Sequence, residues 1–278
     1  MSKIVICCFG ITRSLRHTIK SIRRNVIEPA GDAPVFCHFF EQNQAIAVSG
    51  QTEGRVDVAD AALLSPHWIE TEAPGACLAQ WKFDEICSYG DFWDNNFISL
   101  RNLIHQLHSL HQVTQAALKA EADVVIFCRP DLKYHDSLAP VLRMAGERDG
   151  QQDAVFLPSW QAWGGYNDRF AVARGSTAIK AYGQRITQVL DYCQATGSAL
   201  QSERLVKHVL TQQDINVRLI PNRASRVRAS GFSVWESFGD ERANFRHERF
   251  KSGLWTLLNK SGLKPTARRV ARFMHPQR

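Results

Sequence analysis

Apolar residues in this chain gather into short, unbroken runs separated by stretches with helical spacing. The first run, Lys3 to Phe9 (KIVICCF), holds no polar residue after its lysine. It predicts a strand covered on both faces, because a half-wetted strand would alternate. Leu15, Ile19, Ile22 and Val26 then recur at helical spacing, with basic residues between them, and predict a helix over 15–27. Pro29-Ala30-Gly31-Asp32 breaks it. Pro34 to Phe40 (PVFCHFF) predicts a second buried strand. Strand, helix and strand in this order open a βαβ unit with a parallel sheet.

Glu41 to Asn95 is less regular, rich in Gly, Pro, Asp and Asn, with one short strand expected at His67 to Glu72. Long connections of this kind often form binding loops. Ile98 to Lys119 is the clearest helix, with Leu100, Leu103, Leu107, Leu110 and Ala117 along one stripe. Asp123 to Phe127 (DVVIF) predicts a buried strand. Ala154 to Leu157, Arg169 to Ala173 and Val217 to Ile220 predict three more. Thr177 to Cys193 and Leu200 to Gln212 predict helices. The expected architecture is α/β, with one domain over residues 1–235 and a tail over 236–278.

Composition narrows the class. With 278 residues, 44% hydrophobic and 22% charged, the chain is neither disordered nor fibrous. No apolar run approaches the roughly 20 residues of a membrane span. The opening run reads as a strand and not as a signal peptide, so a cytoplasmic location is expected. The seven cysteines are odd in number and form no C-x-x-C pair, which suits a reducing compartment.

The charge is uneven. Residues 241–278 carry ten Lys/Arg against Glu241 and Glu248, so the other 240 residues are near neutral in a chain of net charge +7. A body without a basic surplus argues against a nucleic-acid partner. The tail interleaves Leu254, Trp255, Leu257, Leu258, Leu263, Val270 and Phe273 with Lys260, Lys264, Arg268, Arg269 and Arg272. Basic residues mixed with Trp and Leu suggest an interfacial helix, broken at Gly262 and Pro265, lying peripherally on the inner face of a membrane.

The common phosphate loops are absent. The first turn, Phe9-Gly10-Ile11-Thr12-Arg13-Ser14, has one glycine, and neither G-x-G-x-x-G nor G-x-x-x-x-G-K-[ST] occurs. G-x-S-x-G and H-E-x-x-H are also missing. What remains is Gly10 for close backbone approach and Arg13 for diphosphate charge, both at the carboxyl end of a strand where ligands bind in open sheets. Arg129-Pro130-Asp131 follows the DVVIF strand, and Asp131 there could hold Mg²⁺ or Mn²⁺. Trp160 to Asp168 (WQAWGGYND) pairs aromatic faces for a sugar ring with an acid, Asp168, able to take a hydroxyl proton. Glu203, near a helix start, is a second candidate acid, or a partner of the helix dipole. His105, His108 and His111 recur on the 98–119 helix; a polar helix face is the expected reading, and a zinc site needs more ligands. Arg101, Asn102 and Gln106 share that helix without any spacing that ties them to a site.

Together, KIVICCFGITRS, SLRNLIHQLHSL, DVVIFCRPDL, LPSWQAWGGYNDRFAVA and LQSERLVKHVL resemble a group of bacterial glycosyltransferase-like proteins of surface-polysaccharide (capsule or lipopolysaccharide) synthesis. Their order over Lys3 to Arg228 carries the resemblance. It implies a GT-A-type, Rossmann-like sandwich and transfer from a nucleotide sugar to a saccharide or lipid-linked acceptor. It implies Gly10, Arg13 and Arg129 near the nucleotide, Asp131 at the metal motif with a divalent cation (Mn²⁺ or Mg²⁺), and Asp168 and Glu203 at the transfer site. The chain departs from the family at Arg129, which stands where the metal motif has its first acid. Arg129 either neutralises diphosphate itself, or Asp131 binds metal with a distant acid. A non-catalytic binding or scaffold protein of polysaccharide assembly is the alternative.

Overall fold

The computed structural model describes residues 2–31, 33–41, 44–46, 52–147 and 153–242. The chain divides into two compact units, Met1–Gly239 and Asp240–Arg278. The amphipathic stretch of the tail lies outside the described residues. Among the described residues, no helix is long and apolar enough to cross a membrane.

The strands are β1 (Ile4–Gly10), β2 (Val35–Phe40), β3 (Gln44–Ile46), β4 (Thr52–Arg55), β5 (Trp68–Glu72), β6 (Val124–Cys128), β7 (Leu132–Tyr134), β8 (Ala154–Pro158), β9 (Ala171–Arg174), β10 (Asn216–Ile220) and β11 (Ala224–Arg226). The helices are α1 (Leu15–Ile22), α2 (Ala76–Gln80), α3 (Phe83–Cys87), α4 (Ile98–Lys119), α5 (Ala139–Gly146), α6 (Ser176–Gly183), α7 (Val189–Thr196) and α8 (Ser202–Gln212). Seven strands form the central sheet in the order β10-β8-β9-β6-β1-β2-β5. All neighbours run parallel except β9, which is antiparallel to both β6 and β8. Two-stranded pairs β11-β7 and β3-β4 complete the sheets.

Helices cover both faces of this sheet, as the unbroken apolar runs demand. Val5, Cys7 and Phe9 of β1 join Val125 and Phe127 of β6 in a core with α4, α6 and α8. Ile6 and Cys8 point the other way, into a second core with Ile126, α1 and α5. The two-residue period of a strand thus divides one apolar run between two layers. The expected α/β sandwich, with a mostly parallel sheet flanked by helices, is what the chain forms.

Three expectations change in detail. The helix over 15–27 is α-helical only to Ile22 and continues as a π-helical turn over Arg23–Ile27. The helix over 177–193 is two helices, joined by a 3₁₀ turn over Arg185–Gln188. α6 ends at Gly183, where α4 lies close: an added Cβ would sit 2.2 Å from the Thr114 hydroxyl. The irregular 41–95 stretch contains α2 and α3, which are too short to give periodicity.

Phe127 is fully buried and stacks at 4.9 Å from Tyr182 of α6. Phe127→Ala should cost about 3–5 kcal/mol. Urea unfolding of the two proteins measures the difference, and a loss below about 1 kcal/mol would contradict this packing.

Candidate functional site

In open α/β sheets, ligands settle at the strands' carboxyl ends, where the chain's path over the sheet reverses. Here β1 has β2 on one side and β6 on the other. The chain leaves β1 toward β2 and β5, then returns to place β6 at the opposite flank. The turn after β1 and the loop after β6 therefore face each other across one crevice.

Arg13 and Asp131 meet across it, with Arg13 Nη2 2.5 Å from Asp131 Oδ2. Arg129 closes the other side, its Nε 3.0 Å from Oδ1 and its Nη2 2.9 Å from Oδ2. Asp131 is 4% exposed. Burial alone would push its carboxyl up; the Arg129 and Arg13 charges outweigh that and hold it far below the carboxylate range. The backbone is fixed as well. Thr18 donates to the carbonyl of Pro130 at 2.6 Å, and the Val227 amide donates to that of Asp131 at 2.8 Å.

This geometry tests the expected metal. Both carboxylate oxygens of Asp131 are engaged by guanidiniums, and Arg129 stands two residues before it where a second acid would be needed. A lone carboxylate under two cations does not fit a divalent ion. Arg129 and Arg13 place two positive charges beside this carboxylate. Among the described residues, the group with metal-ligand chemistry is His38, Glu72 and His108, from β2, β5 and α4.

Gly10 ends β1 at φ +104° and would meet nothing within 4 Å with an added Cβ, so the backbone beside it is open. Its amide donates to Ser109 Oγ of α4 at 2.8 Å.

The second half of the site comes from the loop after β8 and the start of α8. Asp168 is 5% exposed and accepts a hydrogen bond at Oδ2 from Ser202 Oγ. Its carboxyl is raised by burial but lowered further by Arg169, Arg129, Ser202 and Arg185, with net depression. Glu203, the next residue of α8, goes the opposite way. Burial and the charge of Asp168 push it up from 4.5 to about 8. The result is two neighbouring carboxyls, one ionised and one protonated at neutral pH, the division that acid–base sites use. Held neutral, Glu203 adds no charge at the start of α8. The Arg129 charge acts on both acids, so the loop after β6 and the start of α8 lie within electrostatic reach of each other.

The aromatic loop divides its labour. Trp160 is 1% exposed, donates its indole N–H to the Asn222 carbonyl at 2.9 Å, and packs edge-on against Phe238. It belongs to the core and cannot serve as a sugar platform. Trp163 is 62% exposed and held at φ 47°, with Gln161 at φ 49°. Two non-glycine residues in the left-handed region within one loop are a strained arrangement, of the kind found at ligand sites. Gly165 explains how the loop reaches α8. An added Cβ would lie 1.9 Å from the Glu203 carbonyl, which accepts from the Tyr166 amide at 2.9 Å. Only glycine lets this loop close on the helix start that carries Glu203.

Sequence reasoning missed Ser202, Arg169 and Arg185. Ser202 and Arg169 adjoin predicted residues. Arg185 is 1% exposed, lies 4.4 Å over the Tyr182 ring, and donates to the Tyr182 carbonyl at 2.6 Å. Nothing in its neighbourhood along the chain distinguishes it from a solvated arginine. Arg101 stays outside the site, exposed and stacked on Phe83 at 5.0 Å. The histidines of α4 are not a polar face. His108 is buried, His105 and His111 are half-buried, and burial lowers the pKa of His105 to about 4. β2 and α2 pack against the helix, and Glu72 of β5 reaches His108.

No protein-family model matches the chain, and no curated protein matches it. Solved structures with a similar fold include mouse xyloside xylosyltransferase 1 in its apo form, at 10% identity and TM-score 0.42, covering 79% of this chain and 85% of that one. They also include galactosyltransferase LgtC with donor and acceptor sugar analogues, at 12% identity and TM-score 0.39, covering 78% of this chain and 72% of that one. At this distance the likeness carries no argument about chemistry, which rests on the chain's own residues.

The protonated Glu203 has a consequence for stability. Its pKa in the folded protein, about 8, exceeds its ordinary 4.5, so the unfolded chain releases this proton first as pH rises. The contribution is complete below about pH 4.5 and is lost between there and about pH 8. Glu203→Gln cannot ionise. Its melting temperature should fall less than that of the native protein between pH 5 and pH 8. Parallel curves would show that Glu203 titrates normally.

Proposed function

We propose that the protein is a glycosyltransferase that moves a sugar from a nucleotide-sugar donor to a saccharide or lipid-linked acceptor in bacterial surface-polysaccharide synthesis. The observation that carries the reading is the concentration of charge at the crevice. Arg13, Arg129, Arg169, Arg185 and Arg226 stand against three ionised carboxylates, Asp131, Asp168 and Glu236, while Glu203 is neutral. That surplus suits a nucleoside diphosphate, whose negative charge grows as the sugar leaves. The sequence resemblance points the same way.

In this reading Gly10 gives the diphosphate room at the backbone, and the guanidiniums of Arg13 and Arg129 stabilise its charge. The acceptor hydroxyl oxygen bonds to the anomeric carbon as the bond from that carbon to the phosphate oxygen breaks. The hydroxyl proton passes to Asp168, which Ser202 and the arginines keep ionised and oriented. The exposed ring of Trp163 offers the acceptor sugar an apolar face. Glu203 is the reserve base.

One observation favours the alternative of a non-catalytic binding protein: Asp131 is locked by arginine where the family has a metal motif. Transfer and hydrolysis assays with a panel of nucleotide sugars separate the two readings. The donor nucleotide should also raise the melting temperature, since it binds only the folded state.

Asp168→Asn should lower turnover about 10² to 10⁴-fold while sparing nucleotide binding. The pH profile then assigns the base. With Asp168 as base, the rate is level below pH 8 and falls as Glu203 ionises beside the diphosphate. A rate that climbs through pH 8, or normal turnover in Asp168→Asn, would transfer the role to Glu203.

The basic tail fits this function, because lipid-linked acceptors lie at the inner membrane face. Each Lys or Arg near an anionic leaflet contributes about 1 kcal/mol. Full-length protein should sediment with anionic liposomes at low salt, and a chain ending at Glu241 should not. A full-length protein left in the supernatant rules out the membrane partner.

A further inference from the structure

His38 projects from β2, Glu72 ends β5, and His108 lies midway along α4. One ligand atom from each falls within 4.8 Å of the others. His38 is 0% exposed and His108 1%, while Glu72 is half-buried and reaches solvent. None of the three belongs to the Arg13–Asp131 crevice.

The hydrogen bonds fix the state of His38. Ser109 Oγ gives its proton to the His38 carbonyl at 2.7 Å and accepts from the Gly10 amide. Its 3.0 Å contact with His38 Nδ1 is therefore donated by the imidazole. The lone pair of His38 sits on Nε2. That atom is buried, has no hydrogen-bond partner, and lies 4.0 Å from Glu72 Oε2. An unsatisfied buried acceptor facing a carboxylate is costly, and a cation between them would satisfy both.

We propose that His38, Glu72 and His108 form a binding site for a divalent transition-metal ion of the zinc class. Imidazole nitrogen and carboxylate oxygen are the ligands such ions take, and three of them leave a fourth position for water on the open side of Glu72. His38 already has the outer hydrogen bond of a metal ligand, Nδ1–H to Ser109. Ligand atoms around a tetrahedral ion lie about 3.4 Å apart, given bonds near 2.1 Å. The spread seen here closes by a modest turn of Glu72, the ligand least confined by its neighbours.

His108 adds a condition. The Trp81 indole donates to its Nδ1 at 2.8 Å, so Nε2 carries the proton; that nitrogen lies 2.8 Å from Glu72 Oε1, a buried oxygen with no hydrogen-bond partner. To ligate through Nε2, His108 must move that proton to Nδ1, and the indole N–H must turn aside. Trp81 is half-buried between the short helices α2 and α3. Metal binding thus competes with one hydrogen bond, and removing that bond should strengthen it.

Cobalt(II) titrated into the full-length, metal-free protein tests the site, because four-coordinate cobalt absorbs strongly in the visible. One equivalent should bind with that spectrum, and zinc should displace it. Glu72→Gln, which keeps the side chain's shape, should weaken binding by at least about tenfold. Trp81→Phe should bind more tightly than the native protein. Circular dichroism confirms that each variant is folded. An octahedral or absent cobalt spectrum, or equal affinity in folded Glu72→Gln, overturns the proposal.

Discussion

The site depends on one ion-pair arrangement, the Asp131 carboxylate held between Arg13 and Arg129. Arg13 follows β1 and Arg129 follows β6, and these strands are neighbours only because the chain reverses its course across the sheet. A buried carboxylate must be paired to stay charged, so burial of Asp131 requires both arginines. The arrangement therefore fixes the two loops at the switch point relative to each other. It also leaves a net positive charge at this end of the sheet. A Lys in place of either arginine would lose the fork geometry that engages both oxygens of Asp131 from two directions.

The same electrostatics reaches the second half of the site. Arg129 acts on Asp168 as well as Asp131, and Asp168 in turn raises Glu203. The division of protonation between Asp168 and Glu203 follows from position. Asp168 receives a hydroxyl from Ser202 and the fields of three arginines, whereas Glu203 receives desolvation and a neighbouring negative charge. Gly165 makes this neighbourhood sterically attainable by letting the 159–170 loop press against the backbone of α8.

α4 connects this region to the opposite flank. Ser109 receives the Gly10 amide and orients His38, so a single buried hydroxyl links the turn after β1 to the histidine cluster.

Much of the fold was legible from the chain. Unbroken apolar runs such as IVICCF and VVIF can be buried only on two faces, and the 98–119 stripe can only be a helix against a sheet. Arg13, Asp131, Asp168 and Glu203 were legible as charged residues where strands or loops end. Tertiary structure decided which of them touch. Asp131 came to lie between two guanidiniums, because the reach of Arg13 across the crevice is set by strand order and leaves no mark in local sequence. Trp160 became core and Trp163 surface through a backbone turn that composition does not encode. Arg185 entered the site through helix packing, and His38, Glu72 and His108 met because three distant segments share one sheet edge. Local sequence determines which elements form, since periodicity is a short-range property. Electrostatic partnership and protonation are long-range properties, fixed only when the sheet is assembled.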